Sequence, residues 1–226
     1  MQNLYMKIDG SQYKRIFVVG DLHGCLVELQ QQLWANQFDT QTDLLISVGD
    51  LIDRGPDNLG CLRLVNEPWF KSVLGNHEVM ALNALASEPD THESDMAYMN
   101  WFRNGGTWLM CIPEEEKSEV LELFTKVADL PGIIEVSVDD KTIVICHADY
   151  PSNQYEFGKD VDVEALLWNR ERMVKNQNSR GTVIKGADEF YFGHTPAKDP
   201  VQYHNQNYID TGAVFEKGRL TMVQIK

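Results

Sequence analysis

Five short β-type runs each break into a polar turn carrying aspartate, asparagine or histidine, and this repetition constrains the fold more than any other feature. Residues 15–20 (RIFVVG) lead into Asp21-Leu22-His23-Gly24, and residues 44–49 (LLISVG) into Asp50-Leu51-Ile52-Asp53-Arg54-Gly55. Residues 71–74 lead into Gly75-Asn76-His77-Glu78, residues 141–146 into His147, and residues 189–192 into Gly193-His194-Thr195-Pro196. Two further runs, 207–210 and 219–225, close the chain. β-Branched and aromatic side chains fit a pleated, half-buried surface, so these segments are predicted strands.

Helical spacing fills the gaps. Leu26, Leu29 and Leu33 form one apolar face after the first turn, and residues 78–86 form a second candidate helix. Pro113 followed by Glu114, Glu115 and Glu116 predicts a helix start there, because acids favour the positive end of the helix dipole. Val120, Phe124 and Val127 continue its buried stripe until Pro131 and Gly132 stop it. The early βαβαβ order predicts a layered α/β fold. With no internal repeat, low-complexity tract or linker in 226 residues, positions 1–226 read as one domain. Residues 87–130 are expected to be a helical insertion flanking the site. Within it, 87–108 turns from acidic to aromatic (Tyr98, Trp101, Phe102, Trp108), which fits either a surface helix with core aromatics or a lid over the site.

Charge sharpens the functional question. The net charge is −14, from 34 acids against 20 bases, which disfavours nucleic acid as a partner. An anionic substrate would need a local positive island, for which metal ions are the usual source. No apolar run approaches the roughly 20 residues of a membrane span, and residues 1–10 lack a signal-type apolar core. Cys25, Cys61, Cys111 and Cys146 lie far apart with no CxxC pair, so reduced thiols and a cytoplasmic setting are expected.

The polar residues at the strand ends form such an island. Asp21 and His23, two apart in an extended segment, point the same way and can grip one ion. Asp50 can bridge two ions, and Asn76, His147 and His194 would complete the second. Oxygen and nitrogen donors without thiolate suit manganese, iron or zinc. Two divalent ions bring four positive charges, and Asp21 and Asp50 remove two. Arg54 adds a planar fork that matches phosphate oxygens. His77 is placed to protonate a leaving alkoxide as a general acid, and Asp53 is expected to orient it, a pairing that spacing does not supply. His92 and His204 have no strand-end setting and read as surface or structural residues. Any one fragment alone fits a capped turn; five in order do not.

These fragments resemble the GDxHG, GDxxDRG and GNHE motifs of the phosphoprotein phosphatase family of metallophosphoesterases, in matching order over about residues 15–215. Trp101-Phe102-Arg103-Asn104-Gly105-Gly106 resembles a W-x-x-N-G-G segment of the small lambda-phage-type bacterial branch, and Ile209-Asp210-Thr211-Gly212 its D-T-G turn. Trp168-Asn169-Arg170 resembles that branch's W-x-R, which implies Arg170 as a second phosphate clamp. The resemblance implies a four-layer α-β-β-α sandwich, with Asp21, His23 and Asp50 on one metal and Asp50, Asn76, His147 and His194 on the other. It also implies His77 as the acid paired with Asp53, and Arg54, Arg170 and Asn76 as substrate contacts. Manganese is the implied ion, and water is implied to attack directly without a phosphoenzyme. The expected partners are phosphoserine or phosphothreonine proteins and peptides; phosphotyrosine and oligomeric state stay open. The family often has glycine after the first distal histidine, where this chain has Ala148-Asp149, a change expected to touch substrate fit. A symmetrical diadenosine tetraphosphatase shares GDxHG and GNHE and is the nearest alternative, while a binding module without catalysis is the more distant one. Cys25 and Cys146 adjoin site motifs and are expected to be buried, inert thiols.

Overall fold

Two sheets carry the fold, and the computed structural model describes residues 4–226. The first three residues, part of the N-terminal stretch read for an export signal, lie outside that range. The strands are β1 (Tyr5–Asp9), β2 (Ile16–Val19), β3 (Leu44–Ser47), β4 (Phe70–Ser72), β5 (Ile133–Val138), β6 (Lys141–Cys146), β7 (Glu189–Phe192), β8 (Val201–Tyr203), β9 (Gln206–Tyr208) and β10 (Met222–Gln224). The helices are α1 (Leu26–Ala35), α2 (Asn58–Arg63), α3 (Asn76–Ala86), α4 (His92–Arg103), α5 (Lys117–Val127), α6 (Val163–Trp168) and α7 (Glu171–Gln177).

One sheet has the order β10-β2-β3-β4 and the other β1-β5-β6-β7-β9-β8. In the first, β2, β3 and β4 run parallel, with Ile16 opposite Leu44 and Ile46 opposite Lys71, while β10 lies antiparallel on β2. In the second, β5 and β6 form an antiparallel pair, and β6, β7 and β9 run parallel.

The layers follow from side-chain alternation. Successive strand residues face opposite sides, so Ile16, Val18, Leu44 and Ile46 enter the core between the sheets, where Ile134, Val136, Ile143 and Ile145 meet them. Phe17, Val19 and Leu45 point outward to a helical layer that includes Leu29, Leu62, Ala81 and Phe124. On the other outer face Val144, Cys146, Phe190 and Phe192 pack with Leu166 and Met173. Helix, sheet, sheet, helix is the result. Strands buried on both faces explain the unbroken apolar runs at 16–19 and 44–46.

Three strands were not anticipated. β1 is only partly buried and carries Lys7 and Asp9, β8 spans three residues, and β5 follows directly on the Pro131-Gly132 stop. The expected helix at Pro113 also begins later: Glu114–Glu116 form a 3-10 turn and α5 starts at Lys117. Pro113 keeps an extended ψ of 147°, so three adjacent glutamates sit ahead of the helix, and Glu116 and Glu119 pair with Arg63. Between residues 87 and 130 the chain forms α4, a 3-10 stretch Gly106–Cys111 and α5, with α4 packed on α3. Among the described residues no helix is long and apolar enough to cross a membrane.

Candidate active site

Parallel strands deliver their following loops to one edge. Asp21 and His23 follow β2, Asp50, Asp53 and Arg54 follow β3, and Asn76 and His77 open α3 just after β4. The second sheet contributes His147 and His194 directly beyond β6 and β7. All except Arg54 are buried. The backbone is bent to bring them together: His23, Asp50, Asp53, Arg54 and His194 all take positive φ, between 44° and 77°. Non-glycine residues hold this region only where their surroundings over-determine it.

Glu78 is part of that restraint. Its carboxylate accepts the N–H groups of Asp50 (2.9 Å), Leu51 (2.8 Å) and Gly75 (2.9 Å), tying the second and third turns together. Burial, reinforced by the Asp50 charge, pushes the Glu78 carboxyl up to about 7. Glu78 closes the third motif, and its position in Gly75-Asn76-His77-Glu78 is the signal by which the sequence could have marked it.

Two donor groups share Asp50. His23, Asp50 and His77 form one, and Asp50, His147 and His194 the other, each with its donor atoms within 4.8 Å of one another. Asn76 Oδ1 joins the second, 2.8 Å from His147 Nε2 and 2.9 Å from His194 Nδ1. The hydrogen bonding of His147 shows that these residues suit cations. Its Nδ1–H donates to the Val48 carbonyl at 2.8 Å, and burial lowers its pKa, so the neutral ring turns the Nε2 lone pair toward another acceptor, the Asn76 oxygen. His23 repeats the pattern, with Nδ1 on the Ile52 carbonyl (2.8 Å) and Nε2 facing Arg54 Nη1 (2.8 Å). Burial pulls His23 down to about 4 and His194 to about 3, which leaves neutral rings near pH 7. These histidine and aspartate groups fit a dinuclear divalent metal site.

The carboxylates have the matching character. Burial, with the charges of Asp210 and Asp50, holds Asp21 well above the usual carboxylate range, while the His194 N–H at 3.0 Å opposes it. Asp21 belongs to neither donor group, and the His77 ring stands with His23 and Asp50 instead. Burial works against ionisation of Asp50, but His147, His77 and His23 hold its carboxyl below the usual range. Asp210, from the D-T-G turn, is buried in the same cluster and raised to about 6, chiefly by burial.

His77 Nδ1 lies 2.6 Å from Asp53 Oδ2, and its Nε2 faces Asp50 Oδ2 at 3.9 Å. Burial works to lower the His77 pKa, but the Asp50 charge and the Asp53 hydrogen bond outweigh it and leave it raised. Arg54 and Arg170 border the same cavity of about 420 Å3, and Arg170 Nε approaches His194 Nε2 at 3.3 Å. Trp168 and Phe215 are exposed at its lining. Asp149 is buried beside this wall, accepting Arg172 Nε (2.5 Å) and Asn169 Nδ2 (2.8 Å), the residue next to Arg170. His92 and His204 are exposed and belong to neither donor group. Cys25 and Cys146 are buried, and burial pushes the Cys25 thiol up to about 11.

The calcineurin-like phosphoesterase profile matches residues 14–218. The chain belongs to this family. Over 225 residues it is 46% identical to serine/threonine-protein phosphatase 1 of Salmonella typhimurium, covering 100% of this chain and 98% of that one. It is 44% identical to serine/threonine-protein phosphatase 2 of Escherichia coli, covering 98% of each. Symmetrical bis(5'-nucleosyl)-tetraphosphatases match less of it: that of Proteus mirabilis is 36% identical over 45% of this chain and 41% of its own. A solved structure provisionally named a diadenosine tetraphosphatase shares the phosphoesterase fold, with a TM-score of 0.70 at 23% identity over 99% of this chain and 94% of that one.

Proposed function

We propose that this phosphoesterase hydrolyses phosphoserine and phosphothreonine in proteins, with phosphotyrosine a further substrate to be tested. One observation carries the reading: two His/Asp groups sharing Asp50 open into one cavity with Arg54 and Arg170. Relatives matched from end to end at 44–46% identity are named serine/threonine-protein phosphatases, whereas the symmetrical tetraphosphatase of Proteus mirabilis matches 45% of this chain.

In this reading Asp21, His23 and Asp50 hold one divalent cation, and Asp50, Asn76, His147 and His194 hold the other. Manganese is the expected ion, with iron and zinc as alternatives for an oxygen and nitrogen donor set. A pair of such cations supplies positive charge to the phosphoryl oxygens and lowers the pKa of water. Arg54 and Arg170 bind the equatorial oxygens, and with Asn76 they orient the ester. Asp53 takes up His77 Nδ1–H, so the remaining imidazolium proton sits on Nε2. From Nε2 it passes to the departing serine oxygen, sparing a bare alkoxide. Trp168 and Phe215, 42% and 51% exposed, offer apolar surface to the peptide around the phosphorylated residue. A cytoplasmic setting is part of this reading, supported by four free cysteines.

The test is phosphate release from a phosphoserine peptide with and without manganese, for wild type and His77→Asn. The expected result is metal-dependent turnover that falls roughly 10²–10⁴-fold in the variant, the range for general acid catalysis. Turnover unchanged in the variant would remove His77 from the acid role.

A further inference from the structure

Asp53 is fully buried, and its carboxylate receives N–H groups from two tryptophans besides His77. Trp101 Nε1 donates to both oxygens at 3.0 Å, and Trp108 Nε1 donates to Oδ1 at 2.8 Å. Both indoles come from the segment between residues 87 and 130, one from α4 and one from the 3-10 stretch after it. Trp101 is also a core residue, packed against Phe124 and Trp108. Packing alone does not require two indole N–H groups to converge on one carboxylate.

The turn between the tryptophans is shaped for the same purpose. Gly105, at φ +117°, offers its carbonyl to the Arg54 N–H at 3.3 Å, and a Cβ there would sit 2.8 Å from the Arg54 backbone nitrogen. A Cβ on Gly106 would come within 2.4 Å of Trp101 Nε1, where the indole reaches Asp53. Asp53 and Arg54 both hold positive φ, and the Asp53 N–H is taken up by Asn58 Oδ1 at 2.6 Å. The run Trp101 to Trp108 therefore clamps the Asp53-Arg54 turn through two indole N–H groups and the Gly105 carbonyl.

We infer that Trp101 and Trp108 are positioning residues for proton donation: their indole N–H groups hold the Asp53 carboxylate so that Oδ2 meets His77 Nδ1. The inference rests on His77 being the acid. With Oδ1 engaged by both indoles, the carboxylate plane is set, and the hydrogen bond from Oδ2 to Nδ1 sets the direction of His77 Nε2. Without the indoles the carboxylate can rotate, and Nε2 loses its aim while the metal ligands and both arginines stay in place. The step affected is protonation of the leaving oxygen, and a substrate whose phenolate leaves without a proton needs it least.

The experiment compares manganese-loaded wild type, Trp108→Phe, Trp101→Phe and His77→Asn on a phosphoserine peptide and on nitrophenyl phosphate. Phenylalanine keeps a ring but has no N–H. Trp108 is only partly buried, so its variant is the primary test, with a thermal melt to verify folding. Losing one hydrogen bond to a charged group predicts a fall in kcat of about ten-fold on the peptide. The fall on nitrophenyl phosphate should be clearly smaller, and His77→Asn should show the same bias more strongly. Adding Trp108→Phe to His77→Asn should cause no further loss on the peptide, because both changes remove one function. Equal losses on both substrates, full additivity with His77→Asn, or no loss at all would overturn the inference while leaving the His77 assignment standing. Absence of the leaving-group bias in His77→Asn itself would overturn that assignment and the inference with it.

Discussion

His77 sits between two carboxylates that act on it differently. Asp53 holds Nδ1 at 2.6 Å, while Asp50 lies 3.9 Å from Nε2 and acts through its charge. In protein stripped of metal by chelation, both favour the imidazolium, so His77 should titrate above the ordinary histidine value of about 6.5. The sign follows from linkage. A histidine whose folded pKa is raised stabilises the fold fully below its unfolded pKa, and this contribution is lost as pH rises through the folded pKa. Asp53→Asn should bring the His77 titration down, as read from its imidazole resonances. A His77 titration unchanged in that variant would mean that the short contact does not control the proton. His23 and His194 differ because burial prevails, drawing them to about 4 and about 3, so near pH 7 each presents a lone pair rather than a proton. One cavity thus holds an imidazole whose pKa is raised beside others whose pKa is lowered.

At the scale of elements, the junction of α6 and α7 shows how a buried charge can serve a binding wall. Burial alone would raise the Asp149 carboxyl, and Arg172 and Asn169 oppose this without cancelling it. Arg172 also donates to the Tyr150 and Ser152 carbonyls, fastening α7 to the loop after β6. Asn169 and Arg170 lie between the two helices, so this cluster sets where the Arg170 guanidinium begins. Asp149→Ala should cost about 2–4 kcal/mol in chemical denaturation, because it leaves Arg172 without its charge partner. It should also raise KM for a phosphopeptide more than it lowers kcat. An unchanged KM would separate Asp149 from Arg170. Ala148, which stands where the family often has glycine, is buried beside Asp149.

Across the whole molecule, the features legible in the sequence are the local ones. β2, β3, β6 and β7 stood out because each is a short apolar run broken by a polar turn, and the motif residues gathered because parallel strands release their loops at one edge. β1 and β8, half-exposed or short, lack that contrast, and β5 was masked by reading Pro131-Gly132 only as a stop. The contacts behind the site were hidden by distance along the chain. Trp101 and Trp108 reach Asp53 across 48 and 55 residues, and Glu78 reaches Asp50 across 28, separations that no local pattern encodes. The aromatic stretch fits core packing and a lid equally well by its residues, and Trp101 is a core residue whose indole also reaches the site. The −14 net charge takes its meaning at this scale too, since cations and two arginines would have to create a local positive region on an acidic protein. In the proposed reading this region is built for a phosphoprotein. It is tested most directly by measuring, on one manganese-loaded preparation, phosphate release from a phosphoserine protein beside ADP release from diadenosine tetraphosphate. Metal-dependent phosphate release that exceeds dinucleotide cleavage in kcat/KM is the predicted result. Preferential cleavage of the dinucleotide, with the phosphoserine protein left intact, would contradict the account.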